Sequence, residues 1–369
     1  MAKIGLYLSG GGARGAYQVG VLKAIGEILQ TNKLPFTMLS GVSIGAINSS
    51  GLAQHADDFL MGIDCLERLW SNLHCDQIFN TSNYELGKSV VRNLGQILVK
   101  QRHSGFLLDT TPLNAFVDDN INFERIRHHI AAKHLDTFEV IANCYETEQT
   151  VSFYQSSTPN FEDWVYHRHI SRATVIDKNH IIASGSLPLF FPAIDINGMH
   201  YGDGSVGLIS PLRGALRFNV EKVMIIGTRQ VPVAKKPDVT NHDEIGFAQV
   251  LGNMLNGLFL DNLDRDIEMV NRMNDIARLL SIWNKHKSPW RPVETLYLRP
   301  TRSMAAMAQD HFKAMPTLLR MLLNVLGAKN HSGDLLSFLL FEKDFTQQLI
   351  DTGYADTMGQ YKSIVEFFE

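Results

Sequence analysis

Twice between Lys3 and Gly51 a short apolar run breaks on glycines and gives way to a helical one. The first passage is Lys3 to Ser9, then Gly10-Gly11-Gly12-Ala13-Arg14-Gly15, then Ala16 to Leu29. The second is Phe36 to Val42, a turn at Ser43, then Ile44 to Ala53. In the first helical run Val19, Leu22, Ile25, Ile28 and Leu29 recur at helical spacing, and Ile44 to Ala53 is rich in small residues, which suits a helix lying close on a sheet. Strand, turn and helix in alternation is the rhythm of an open α/β sheet.

The same reading extends along the chain. Asp57 to Arg102 is mostly helical in pattern, with Leu60, Ile63, Cys65, Leu66, Leu69 and Trp70 as its buried stripe. Thr137 to Cys144 and Val151 to Gln155 read as paired strands, and Asp177 to Ser184 as a short helix. Pro188 and Pro192 forbid a helix through the following Leu-Phe-Phe run. Ala193 to Tyr201 reads as a hairpin turning at Asn197-Gly198. Pro211 to Phe218 reads as a helix and Lys222 to Thr228 as a strand. Past Val231 the chain turns polar around Lys235-Lys236-Pro237, so a boundary is expected there between residues 1–231 and a mostly helical 232–369. That second part holds helical stretches at Glu244 to Leu280, His311 to Ala328 and Asp334 to Thr352, with one strand at Thr295 to Arg299.

Gly41-Val42-Ser43-Ile44-Gly45 matches G-x-S-x-G between a strand and a helix. This is the context of a nucleophile elbow, in which a sharp turn presents a serine hydroxyl at the end of a sheet. The glycine turn at Gly10–Gly15 has two readings. It matches G-x-G-x-x-G, but that fingerprint wants an acid at the end of the second strand, and Leu39-Ser40-Gly41-Val42 has none. The other reading is a nest of amides that stabilises an oxyanion, with Arg14 adding positive charge. A serine nucleophile also needs a base. With 14 histidines in the chain, a triad is not excluded by counting. His128-His129 and His167-Arg168-His169 lie in polar runs that suggest surface, and His200 is the best-placed histidine. Asp203, between Gly202 and Gly204 after a strand-like run, is the other candidate, since its carboxylate can point back across the sheet.

Taken in order from Ile4 to about Leu212, GGGARG, GVSIG, the S-x-x-x-P-x-x-F-P segment ending at Pro192 and YGDGS resemble the patatin-like phospholipase family. The resemblance implies a three-layer α/β/α hydrolase with a mainly parallel central sheet and a helical C-terminal extension. It implies a serine–aspartate dyad, with Ser43 as nucleophile and Asp203 as base, and oxyanion amides at Gly11, Gly12 and Ala13 beside Arg14. The reaction implied is acyl-ester hydrolysis on lipids, of phospholipase A or lysophospholipase type, through an acyl-serine and without cofactor or metal. Family members often carry glycine or alanine where Ser205 stands, and nothing beyond Val231 matches the family's motifs. The rivals are a thioesterase or short-chain esterase with the same dyad, a nucleotide-binding module, and a catalytically silent lipid-binding or scaffold protein.

Composition narrows the partners. The 369 residues are 45% hydrophobic and 20% charged, ample for a core. A net charge of -4 gives no reason to expect nucleic acid, which wants a basic face. Cys65, Cys75 and Cys144 have no C-x-x-C spacing and fit a reducing compartment. No H-E-x-x-H, EF-hand loop or Cys/His cluster marks a metal site. With no leader and no apolar run near the roughly 18 residues of a membrane span, a cytoplasmic protein is expected, compatible with peripheral membrane contact or a homo-oligomer. The apolar face of Pro316 to Lys329 suits an interfacial helix or, more simply, a core or dimer helix. Glu244 to Leu280 suits a lid or plain packing, and Met304, Met307 and Met315 suit an acyl-binding wall or core filling.

Overall fold

A computed structural model describes residues 2–81, 106–158, 161–231, 247–279, 291–325 and 333–369. β1 (Ile4–Leu8) enters the glycine turn, which closes as a 3-10 turn over Gly12–Gly15 before α1 (Ala16–Leu29). β2 (Met38–Val42) ends at Ser43, and α2 (Ile44–Ala53) starts on the next residue. α3 (Phe59–Ser71), α4 (Thr111–Asn120) and α5 (Phe123–Ala131) precede the hairpin of β3 (Thr137–Cys144) and β4 (Gln149–Ser156). There follow β5 (Val165–Tyr166), β6 (His169–Ala173), α6 (Lys178–Ser184) and the hairpin of β7 (Ile194–Ile196) and β8 (Met199–Asp203). α7 (Arg213–Arg217) and β9 (Lys222–Ile226) come next. The remainder holds α8 (Phe247–Leu279), β10 (Glu294–Leu298), α9 (Met304–Asp310), α10 (Thr317–Val325), α11 (Gly333–Leu339), α12 (Lys343–Met358) and α13 (Tyr361–Phe368).

One sheet runs in the order β10-β9-β1-β2-β3-β4-β6-β5. From β10 to β3 every neighbour is parallel, and β4 turns back antiparallel on β3. Parallel strands are covered on both faces, which requires apolar residues on both sides of each strand. β1 sends Ile4, Leu6 and Leu8 into one apolar cluster and Tyr7 into another; β9 splits Met224 and Ile226 from Val223 and Ile225 in the same way. The first cluster lies under α1, α2, α3, α11 and α12, the second under α7 and α8. These are the three layers expected, around a sheet whose central strands are parallel.

Residues beyond 232 join this architecture. β10 extends the sheet beside β9. α12 lies along α1, where a side chain at Gly20 would run into the Ile350 carbonyl and one at Gly353 into the Tyr17 carbonyl. The helix expected from Asp334 to Thr352 is two helices, because Glu342 adopts an extended backbone (φ -132°, ψ 137°) and bridges to His74. The stretch from His311 opens as a 3-10 turn and restarts after Pro316 as α10; its residues 326–328 lie outside the described residues, as do 82–102, 232–246 and Leu280 of the stretches named above. In α8, Leu255 and Leu263 are buried while Met254 is exposed, and Met304, Met307 and Met315 fill the core. α4, α5, α9, α13, β5 and β6 are additions to the sequence reading. For α4 the signal is present: Pro112 in its first turn and Leu113, Phe116 and Val117 at helical spacing.

Candidate active site

Ser43 has φ 57° and ψ -127°. Few residues other than glycine adopt such a backbone, which costs of order 1–3 kcal/mol. The surroundings enforce it. A Cβ at Gly45 would run into the Leu8 carbonyl, and one at Gly41 into the Gly45 carbonyl. β1, β2 and α2 therefore meet backbone to backbone, and the chain has no room to relax. The turn leaves Ser43 at the N-terminus of α2, where unpaired amides and the helix dipole favour negative charge.

Asp203 reaches the same place by way of β3. Val42 is the last residue of β2 and pairs with Ile141. Asp203 is the last residue of β8 and pairs with the next residue, Ala142. Because β4 fills the opposite edge of β3 along its whole length, β2 and β8 share one edge, and their ends abut. Gly202 and Gly204 pack against the Tyr145 ring and the Ile141 carbonyl. The Asp203 side chain is wholly buried; its Oδ1 accepts the Ser205 amide at 2.9 Å. Oδ2 and the Ser205 hydroxyl are buried without a hydrogen bond of normal geometry among the described residues. Burial raises the Asp203 carboxyl from its ordinary 3.8 to about 6, against the pull of the Ser43 hydroxyl and of Ser205. A buried carboxylate with an oxygen so weakly satisfied and a raised pKa is uncommon in a fold and makes Asp203 a candidate functional residue.

The glycine turn lies across from them. The Gly10 carbonyl accepts from the hydroxyls of Ser9 and Thr228, and the Gly15 carbonyl from Asn48. Gly12 has φ 56°, and a side chain there would run into the Phe338 carbonyl of α11. The Arg14 amide is taken up by the Gly11 carbonyl at 3.2 Å. The Arg14 side chain, expected to add positive charge beside the oxyanion amides, is buried, and its guanidinium commits its donors to the C-terminal helices. Nε donates to Ser337 Oγ (2.8 Å), Nη1 to Asn256 (3.2 Å) and Nη2 to Asp334 (3.0 Å), and the group stacks on Phe338 at 4.2 Å. Arg14 thus ties the turn to α8 and α11. Arg14→Ala is expected to lose about 2–3 kcal/mol in urea unfolding, and Arg14→Lys to recover little, because a lysine lacks the planar fork.

An apolar cavity opens at Ser43, walled by Ile44, Ile47, Ile181, Ile182, Leu187 and Phe191, with Leu113 and Val117 of α4 on one side. No charged side chain and no histidine is among its described lining residues. His200 is not brought to the site: its side chain is 57% exposed, with Nδ1 2.6 Å from Glu146 Oε1. Of the histidines in polar runs, His129 and His169 are buried rather than on the surface. His169 contacts the Ser152 hydroxyl at 2.9 Å, and burial lowers its pKa to about 3.

A model of the patatin-like phospholipase family matches residues 6–216. The chain belongs to this family. Among curated proteins it is similar to lysophospholipase nte1 of Aspergillus terreus, 29% identical over 120 residues, which is 30% of this chain and 8% of that protein. The Neurospora crassa lysophospholipase nte1 is 27% identical over 135 residues, 34% of this chain and 8% of that protein. The chain therefore spans a small fraction of the length of the relatives it matches. Among solved structures it is similar to human GIVD cytosolic phospholipase A2 in complex with methyl gamma-linolenyl fluorophosphonate, at 12% identity, covering 100% of this chain and 58% of that one, with a TM-score of 0.44. VipD from Legionella pneumophila gives 13% identity, 95% and 67% coverage and a TM-score of 0.36. The family match takes in the glycine turn, the Ser43 elbow and Asp203, and ends within α7. Among the described residues no helix is long and apolar enough to cross a membrane.

Proposed function

We propose that the protein hydrolyses acyl esters of lipids, in the manner of a phospholipase A or lysophospholipase, with Ser43 and Asp203 as a catalytic dyad. The observation that carries this reading is the meeting of β2 and β8 on consecutive residues of β3, at the mouth of a cavity with an apolar lining. Ser43 Oγ attacks the ester carbonyl while Asp203 takes its proton. The amides of Gly11, Gly12 and Ala13 stabilise the oxyanion, and the leaving alcohol receives the proton. Water then attacks the acyl-serine by the same route and releases the fatty acid. The name of the fungal relatives, lysophospholipase, agrees with this reading. The dinucleotide reading of the glycine turn wants an acidic residue at the end of the second strand, and β2 ends Leu39-Ser40-Gly41-Val42.

The test compares a lysophospholipid, a long-chain acyl thioester and a short-chain ester. The lysophospholipid is expected to give the largest kcat/KM, rising with pH through an apparent pKa near 6, as the Asp203 carboxyl loses its proton and becomes able to accept one. Preference for the thioester reassigns the substrate class. A profile with no inflection between about pH 5 and 7 argues against Asp203 as the base.

A further inference from the structure

The proposed reaction leaves unused the serine that opens the S-x-x-x-P-x-x-F-P segment. Ser184 is the last residue of α6 and is fully buried. Its hydroxyl accepts the Ser43 amide at 2.9 Å and donates to the Ile141 carbonyl at 2.6 Å. Ile141 is the β3 residue that pairs with Val42. The same turn also holds the other half of the dyad: the Ser186 carbonyl accepts the Asp203 amide at 3.0 Å, and the Ser184 carbonyl accepts the Gly204 amide at 3.3 Å. One turn therefore fastens both reactive residues to β3 by their backbones.

Ser43 follows the last residue of β2, and its buried amide donates to the Ser184 hydroxyl. A buried amide without a partner is strongly disfavoured, so some group has to receive it, and Ser184 does. We propose that Ser184 is a positioning residue, whose hydroxyl locks the strained Ser43 backbone against β3 and so fixes the distance between nucleophile and base. This rests on the reading of Ser43 and Asp203 as a dyad. Ser184 is not among the residues lining the cavity, so its effect falls on the chemical step and not on substrate binding.

The experiment compares Ser184→Ala with Ser50→Ala. Ser50 is an equally buried serine whose hydroxyl, among the described residues, donates back to the Ala46 carbonyl within α2. In Ser184→Ala, kcat on lysophospholipid and the rate of fluorophosphonate labelling are expected to fall together by about 10- to 100-fold, with KM within about twofold, the scale for a small misplacement of reacting groups. Ser50→Ala is expected to leave all three unchanged. Native-state amide exchange supplies a readout independent of chemistry: Ser43 and Gly204 exchange about tenfold or more faster in Ser184→Ala, while β1 and β9 keep their protection. Wild-type turnover and labelling in Ser184→Ala overturn the proposal, and so does an even loss of protection across the whole sheet. A wild-type protein that neither labels nor hydrolyses overturns the dyad reading instead, and amide exchange then still decides whether Ser184 holds the Ser43 backbone.

Discussion

Ser43→Ala is expected to lower lipid acyl-ester hydrolysis by about 10⁴-fold or more and to abolish fluorophosphonate labelling. Losing the nucleophile of a covalent mechanism removes the acyl-serine, and only binding and the oxyanion amides remain to accelerate attack by water. The measurement is turnover together with peptide mapping of the labelled protein, in which the adduct sits on the peptide carrying Ser43. An adduct elsewhere, or persisting in Ser43→Ala, overturns the assignment. The backbone adds a second expectation of opposite sign. At φ 57°, glycine is at ease where serine is strained. Ser43→Gly is therefore equally inactive, yet gains about 1 kcal/mol in thermal or urea unfolding.

Asp203→Asn is expected to lose about 100-fold or more in kcat, the scale of a missing general base, while making the protein more stable at neutral pH. The carboxyl holds its proton more tightly in the folded chain, where it titrates at about 6, than at its ordinary 3.8. Protonation therefore favours folding, and the native state loses ground as pH rises through that window. Once ionised, the buried carboxylate costs at most about 3 kcal/mol, a little over two pKa units. Asparagine is neutral at every pH. Its advantage over the wild type is present at pH 7 and disappears below about pH 4. Melting curves of both proteins across this range check the sign. An Asp203→Asn protein that keeps its activity, or activity that depends instead on His200, returns the base to a histidine.

How far the sequence carries this reading differs from residue to residue. β1 through α2 are legible because apolar period, glycine turn and helical spacing all agree within a few residues. Ser43 is legible for the same reason, since its unusual backbone is dictated by neighbours at 41 and 45. From its own residues Asp203 is legible as a candidate base in a turn, and its pairing with Ser43 comes only through the resemblance. That β8 docks where β2 stops is a fact of strand pairing between segments far apart in the chain. Arg14 shows the limit most clearly. Its place beside the glycines suggested a charge at the oxyanion, but the direction of a long side chain is set by what packs on it, and α11 supplies Asp334, Ser337 and Phe338 from the far end of the sequence. His129 and His169 make the same point, since a polar run does not disclose which of its members a sheet edge or helix will bury.

The shared edge of β3 makes the proposed chemistry conditional on complete assembly. A nascent chain that has emerged only as far as β4 owns the proposed nucleophile and the cavity's first walls but not the proposed base, and is expected to be inactive. A slip of β8 by one residue along β3 would turn the carboxylate to the opposite face of the sheet and silence the enzyme while leaving it folded. Activity in a refolding sample therefore counts molecules with correct strand registry, a stricter census than helix content or compactness gives.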